Sequence, residues 1–146
     1  MKNPNKNNSR AVAAGLVGEW IETGAFPNHL LESVESDRAF IMEVVYGIAR
    51  WKRTLEWVVK RSAKRPPDRE IRPFLFVGLY QILLMDDVEV YAAVNETVEA
   101  AKAVLSRKDA DFINAVLRGA VREKETIRTL LKEQPLPIRL SHPVDL

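Results

Sequence analysis

The 146-residue sequence contains no cysteine. That excludes disulfides, thiolate zinc sites, iron–sulfur clusters and a cysteine nucleophile, and it suits a reducing cytoplasm. Two histidines are present, His29 and His142, and neither sits in an H-E-x-x-H pattern, so imidazole metal chemistry lacks a ligand set. None of the six glycines falls in a G-x-G-x-x-G, G-x-x-x-x-G-K-[ST] or G-x-S-x-G arrangement, which removes the loop geometry of dinucleotide, P-loop and hydrolase-elbow sites. No apolar run approaches the roughly 18 residues of a membrane helix. The start, Met1 to Arg10, is polar and has no apolar stretch of the kind a secretion signal carries. The expectation is a cytoplasmic chain with no metal site, no membrane segment and no catalytic residues of its own.

What is present is a composition of 47% hydrophobic and 29% charged residues, enough to bury one core in one domain. Apolar residues recur every three or four positions and no alternating strand pattern interrupts them, so the chain reads as all-α. Ser9 is placed to cap a first helix that buries Val12, Ala13, Leu16, Val17, Trp20 and Ile21 and stops at Gly24. A short second helix follows Pro27. Asp37 or Ser36 caps a long third helix to about Lys64, where Pro66 and Pro67 forbid continuation. A fourth spans about Arg69 to Met85 with Pro73 in its first turn, and a fifth about Val90 to Leu105. The sixth starts near Asp109 and reaches about Leu131, with room for a break near Arg122, before Pro135 and Pro137 open an extended tail.

The fourth helix, from Phe74 to Met85, is apolar on every side. In a chain with no membrane-length segment this means burial on every side, hence a central position. Gly78 weakens that helix by about 1 kcal/mol relative to Ala, which points to another helix crossing there at close range. Tyr80 and Gln81 must meet polar partners or sit at an edge.

Charge is nearly balanced, with 22 Lys and Arg against 20 Asp and Glu, but its distribution is uneven. Arg50, Lys52, Arg53, Lys60, Arg61, Lys64 and Arg65 face Glu56 alone, whereas Asp86 to Asp111 is predominantly acidic. At about 100° per residue, a continuous third helix places Arg50, Arg53, Trp57, Lys60, Arg61 and Lys64 within a roughly 100° arc. Ile41, Val44, Val45, Ile48, Trp51, Leu55 and Val59 lie opposite. The basic stripe is therefore the exposed one, and it is the candidate surface for a polyanion. Trp57 among these cations has two readings: an indole that stacks on an unpaired base, or one that covers a second helix pair in the core. Glu96 and Glu99 share a helix flank, with Lys102 one turn on from Glu99, and read as salt-bridged surface. Asn95 and Asn114 are poor interior helix residues, and their placement suggests hydrogen bonds that clamp helix to loop in a polar network. Asn114, Arg118 and Arg122 share a flank with Glu125 and can extend the basic surface.

Several segments together form a recognisable order: Asp37-Arg38-Ala39-Phe40, Gly47-Ile48-Ala49-Arg50, Gly78-Leu79-Tyr80-Gln81, Val94-Asn95-Glu96 with Val98, Ala101 and Lys102, and Phe112-Ile113-Asn114-Ala115-Val116-Leu117-Arg118. From about Ser9 to Glu133 the chain resembles the NusB family of all-helical RNA-binding domains. Within it, Gly47 with Arg50, the Tyr80-Gln81 pair and the Asn-Ala-Val-Leu-Arg ending look most like the amino-terminal domain of the RsmB (Sun, Fmu) 16S rRNA cytosine-C5 methyltransferases. The tail from Leu136 to Pro143 resembles the linker by which those enzymes pass into their catalytic part.

The resemblance implies a compact bundle of about six to seven helices around the central apolar one. It further implies an unstructured start over 1–8, an RNA-binding domain over 9–133 and a linker over 134–146 toward a methyltransferase domain outside the chain. That domain would supply S-adenosylmethionine binding and the catalytic cysteines, and it would be an intramolecular partner. RNA, 16S rRNA in particular, is the other implied partner. NusB's arginine-rich first helix is reduced here to Lys2, Lys6 and Arg10, which leaves the third-helix cations as the RNA-binding candidates. The alternative is a free-standing NusB-type factor for transcription antitermination, binding RNA together with a ribosomal protein.

Overall fold

A computed structural model describes residues 8–25 and 37–133, and among the described residues there are seven helices and no strand. They are α1 (Ser9–Thr23), α2 (Arg38–Arg50), α3 (Lys52–Ser62), α4 (Arg72–Leu84), α5 (Val90–Val104), α6 (Arg107–Arg122) and α7 (Lys124–Lys132). The helix expected after Pro27, both histidines, Lys2, Lys6 and the proline-rich tail lie outside the described residues.

The bundle is built around α4, which packs against every other helix. From Pro73 to Leu83 every residue is buried, as expected of a helix that carries apolar side chains on every side. Pro73 sits in the first turn, where its missing N–H costs nothing. Close approach is achieved at two glycines. A Cβ placed on Gly78 would lie 2.5 Å from Cδ1 and 2.7 Å from Cδ2 of Leu117, so α6 crosses α4 at the predicted point. A Cβ on Gly47 would overlap the ring of Tyr80, so α2 crosses α4 with that ring filling the gap.

Three local readings are corrected and a fourth is met. Asn8, not Ser9, caps α1: its side chain accepts from the N–H groups of Arg10 and Ala11, and Ser9 donates its hydroxyl to the Asp37 carboxylate. Asp37 precedes α2 in the left-handed region (φ 55°) and makes no capping hydrogen bond of its own, because its carboxylate is turned to Ser9. The long third helix is two. Trp51 has φ −105° and ψ 23°, a ψ far from the helical value of about −42°, and the helix is interrupted there. Its N–H still donates to Gly47 O at 2.9 Å and its carbonyl accepts from Leu55 at 2.9 Å, which is why no sequence breaker marks the site. The sixth segment divides at Glu123, next to the expected position.

The polar network also differs from expectation. Asn95 is exposed, and Asn114 accepts from Arg118 Nε of its own helix at 3.0 Å. The long-range network is built on Arg10, whose side chain is 16% exposed. Its Nε donates to Gln81 Oε1 at 3.1 Å, its Nη1 to Glu96 Oε1 at 3.2 Å, and its guanidinium lies 4.4 Å from the Phe40 ring centroid. Fully buried Gln81 is completed by donation to Val77 O at 2.9 Å and Thr97 Oγ1 at 3.4 Å. Asn8 Nδ2 donates to Glu96 O at 3.2 Å. One arginine thus joins α1, α2, α4 and α5, and Gln81 has the partners its burial demands.

Candidate nucleic-acid interface

The break at Trp51 divides the predicted basic stripe. Arg50 ends α2 and is exposed. Arg53 and Lys60 are exposed on α3, whose buried side is Thr54, Leu55, Val58 and Val59. Lys64 and Arg65 follow in the connection to α4, both exposed. Arg61 is partly engaged: its Nη1 donates to Glu123 Oε1 at 2.7 Å, tying α3 to the α6–α7 junction. Trp57 is half-buried and packs against the core, so part of its surface covers the bundle. Among the described residues Arg53, Lys60 and Lys64 have no carboxylate within ion-pair distance. Lys52 spends its charge on Glu56 at 3.7 Å and on the Trp20 ring at 5.7 Å.

Two concavities flank the ridge formed by Lys64 and Arg65. One, of about 540 Å³, lies between α3 and α6 and is lined by Arg61, Lys64, Arg65, Arg122, Phe112 and Gly119, among others. Here the Arg65 guanidinium sits 5.1 Å from the centroid of the Phe112 ring, an arrangement that favours the cation. The other, of about 420 Å³, lies between the end of α3, the 63–71 connection and the start of α4. The fold therefore adds Arg65, Arg72 and Arg122 to the basic face. Arg65 is legible within the charged run. Arg122 comes from the sixth-helix flank already expected to extend the basic surface, whereas Arg72 comes from α4, where no periodicity of the third helix could show it.

At the α2 end of the face, burial is the main cause that raises the Tyr80 hydroxyl above its usual pKa of 10.0, and the negative charge of Glu43 adds to the rise. Arg50 acts in the opposite direction. Tyr80 is thus a protonated, structural phenol. Among the described residues no group of three or more acidic or imidazole side chains is placed to hold a metal ion. Gly15, Gly18, Gly47, Gly78 and Gly119 lie inside helices and Gly24 caps α1, so the glycines form no glycine-rich loop. No helix among the described residues is long and apolar enough to cross a membrane.

An all-α bundle with an apolar central helix and a cationic face is the class these observations define. The NusB family model matches residues 7–122, and the chain belongs to the NusB family. Its sequence is similar to proteins named ribosomal RNA small subunit methyltransferase B. The one from Pseudomonas putida is 32% identical over 144 residues, covering 97% of this chain and 33% of that protein. The one from Salmonella newport is 33% identical over 130 residues, covering 84% of this chain and 30% of that protein. The one from Pseudomonas syringae pv. tomato is 31% identical over 144 residues, covering 97% and 32%. The chain spans about a third of the length of these curated relatives.

Proposed function

We propose that this chain is the RNA-binding accessory domain of a 16S rRNA cytosine-C5 methyltransferase acting in the cytoplasm, and that it supplies affinity and positioning while chemistry takes place in a part of the protein outside this chain. The observation that carries the reading is the cationic surface of α3 and the following connection, with Arg53, Lys60 and Lys64 exposed and without carboxylate partners among the described residues. Such a surface gains affinity for a phosphate backbone chiefly by releasing condensed counterions. Arg50 and Arg61 flank it, and the exposed part of Trp57 lies between them. S-adenosylmethionine belongs to the outside part. Similarity to methyltransferase-named relatives over 97% of the chain favours this reading over a free-standing antitermination factor that binds RNA with a ribosomal protein.

The test reverses two charges, Arg53→Glu with Lys60→Glu. Arg61 is left in place because a glutamate there would face Glu123 and disturb the α3–α6 contact. Both substituted positions are exposed, and surface changes of this kind usually move stability by no more than about 0.5 kcal/mol. In gel shifts with rRNA fragments at several salt concentrations, the variant should bind more weakly. Its salt slope should be shallower by about 0.7 log units per lost contact on a single strand. Equal affinity and slope at an unchanged melting temperature would refute RNA contact through this face and assign it to solvent or to an acidic part of the same protein.

A further inference from the structure

Resting on the RNA-binding reading, we infer that the cleft of about 420 Å³ at the α3–α4 connection is the site for one unpaired nucleotide of an RNA strand, with its base inside and its phosphates on the rim. The walls are apolar: Val59 and Ala63 at the end of α3, Pro66 and Pro67 in the connection, with Phe76 of α4 beneath them. Phe76 is fully buried, so it closes the bottom of the cleft without presenting a ring face. The rim is cationic, formed by Lys60, Lys64, Arg65 and Arg72 against Glu56 alone. Glu56 is already engaged with Lys52, and Arg65 lies over Phe112 toward the neighbouring groove. Lys60, Lys64 and Arg72 remain, and among the described residues they have no ion-pair partner.

An apolar slot ringed by uncompensated cations matches a ligand that is flat and poorly hydrated in one part and anionic in the next, which is the chemistry of a nucleotide. The volume falls in the range of small-molecule sites, about 300–1,000 Å³. A base enters only if it has left its stack, and single-stranded loops and bulges supply such bases while a duplex keeps them inside. The consecutive prolines fix φ near about −65°, so the wall they form is set before the ligand arrives and little ordering is needed on binding. The basic surface of α3 holds the strand at large, and this cleft makes the face select unpaired RNA over duplex.

The experiment compares a short single-stranded RNA carrying one 2-aminopurine with the same strand annealed to its complement, both titrated with the 146-residue chain at fixed salt. The single strand should bind more tightly than the duplex, and the probe's emission should rise because its base leaves the stack for a slot with no accessible ring. Ala63→Phe fills the cleft and leaves every cation in place. It should abolish the preference and the emission rise while the duplex affinity and its salt slope stay unchanged. Lys60→Gln with Lys64→Gln, both exposed, should lower single-strand affinity without loss of melting temperature. Equal binding of strand and duplex, or an Ala63→Phe variant that is folded and still selective, overturns the cleft and leaves the RNA-binding reading standing. Displacement of the probe by free nucleoside monophosphate at equal concentration also overturns it, since the cleft would then serve a soluble nucleotide. Absence of salt-dependent binding to either RNA brings down the RNA-binding reading and this one together.

Discussion

The α4–α6 crossing gives a quantitative test of the packing argument through Gly78→Ala. Two effects of opposite sign compete. Alanine improves helix propensity by about 1 kcal/mol over glycine. Against this, the new Cβ would stand 2.5, 2.7 and 3.1 Å from three atoms of Leu117. That side chain is fully buried and has nowhere to swing. Overpacking in a well-filled core costs about 1–3 kcal/mol, and contacts this short belong at the upper end. The net is a loss of about 2 kcal/mol, and a chain of this length should melt about 6–8 °C lower. Leu117→Ala alone should cost about 2–5 kcal/mol through the cavity it opens. In the double variant the methyl introduced at Gly78 enters that cavity, the overlap vanishes and only the propensity gain remains. The pair should therefore be more stable than Leu117→Ala alone, with a coupling of about 2–3 kcal/mol, at the top of the range for residues in contact. Chemical denaturation of the four proteins measures it. Additivity within about 0.5 kcal/mol, or a Gly78→Ala protein that melts higher than wild type, would refute the crossing.

Two further variants probe other parts of the fold. Arg10→Met should destabilise by about 1–3 kcal/mol, because Gln81 Oε1 is left buried without its donor; denaturant titration reads it, and RNA affinity should be unaffected since Arg10 is turned inward. Tyr80 keeps its proton in the fold beyond the usual value of 10.0, so its stabilisation is complete below about pH 10 and is lost as pH rises through the higher folded pKa. Comparing Tyr80→Phe with wild type from about pH 9 to about pH 11, on either side of the ordinary phenol pKa, should show the wild type losing stability more steeply with pH, and parallel curves would overturn the assignment.

The sequence shows α4 plainly because a segment apolar on all sides has one place to go, and Gly78 marks the crossing because propensity alone gives it no reason to be there. The two-helix nature of the segment from Arg38 to Ser62 is hidden. Trp51 itself keeps one helical hydrogen bond on each side, no proline or glycine stands at the break, and the buried positions Ile48 and Leu55 keep helical spacing on either side. Arg50 is consequently separated from the stripe in which a straight helix would place it. The partners of Arg10 are illegible for a different reason: Gln81 and Glu96 stand 71 and 86 positions away, and local pattern carries no information over such a span. The basic face is partly legible, as a run of charges on one helix with Arg122 offered by the flank of another; Arg72 joins it only through the arrangement of α4 beside α3.

That long reach of Arg10 sets a timetable for the newborn chain. Synthesis proceeds at about 5–20 residues per second, so the 86 positions from Arg10 to Glu96 take about 4–17 seconds to make. Throughout that interval α1 has no Glu96 to receive its guanidinium, and for most of it no Gln81 either, while its apolar side, Ala13, Leu16 and Val17, has α2 to pack on but still lacks α4 and α5. The first described helix to be translated thus completes its polar clamp only after α5 is made, and α6 must still follow before Leu117 can fill the crossing at Gly78.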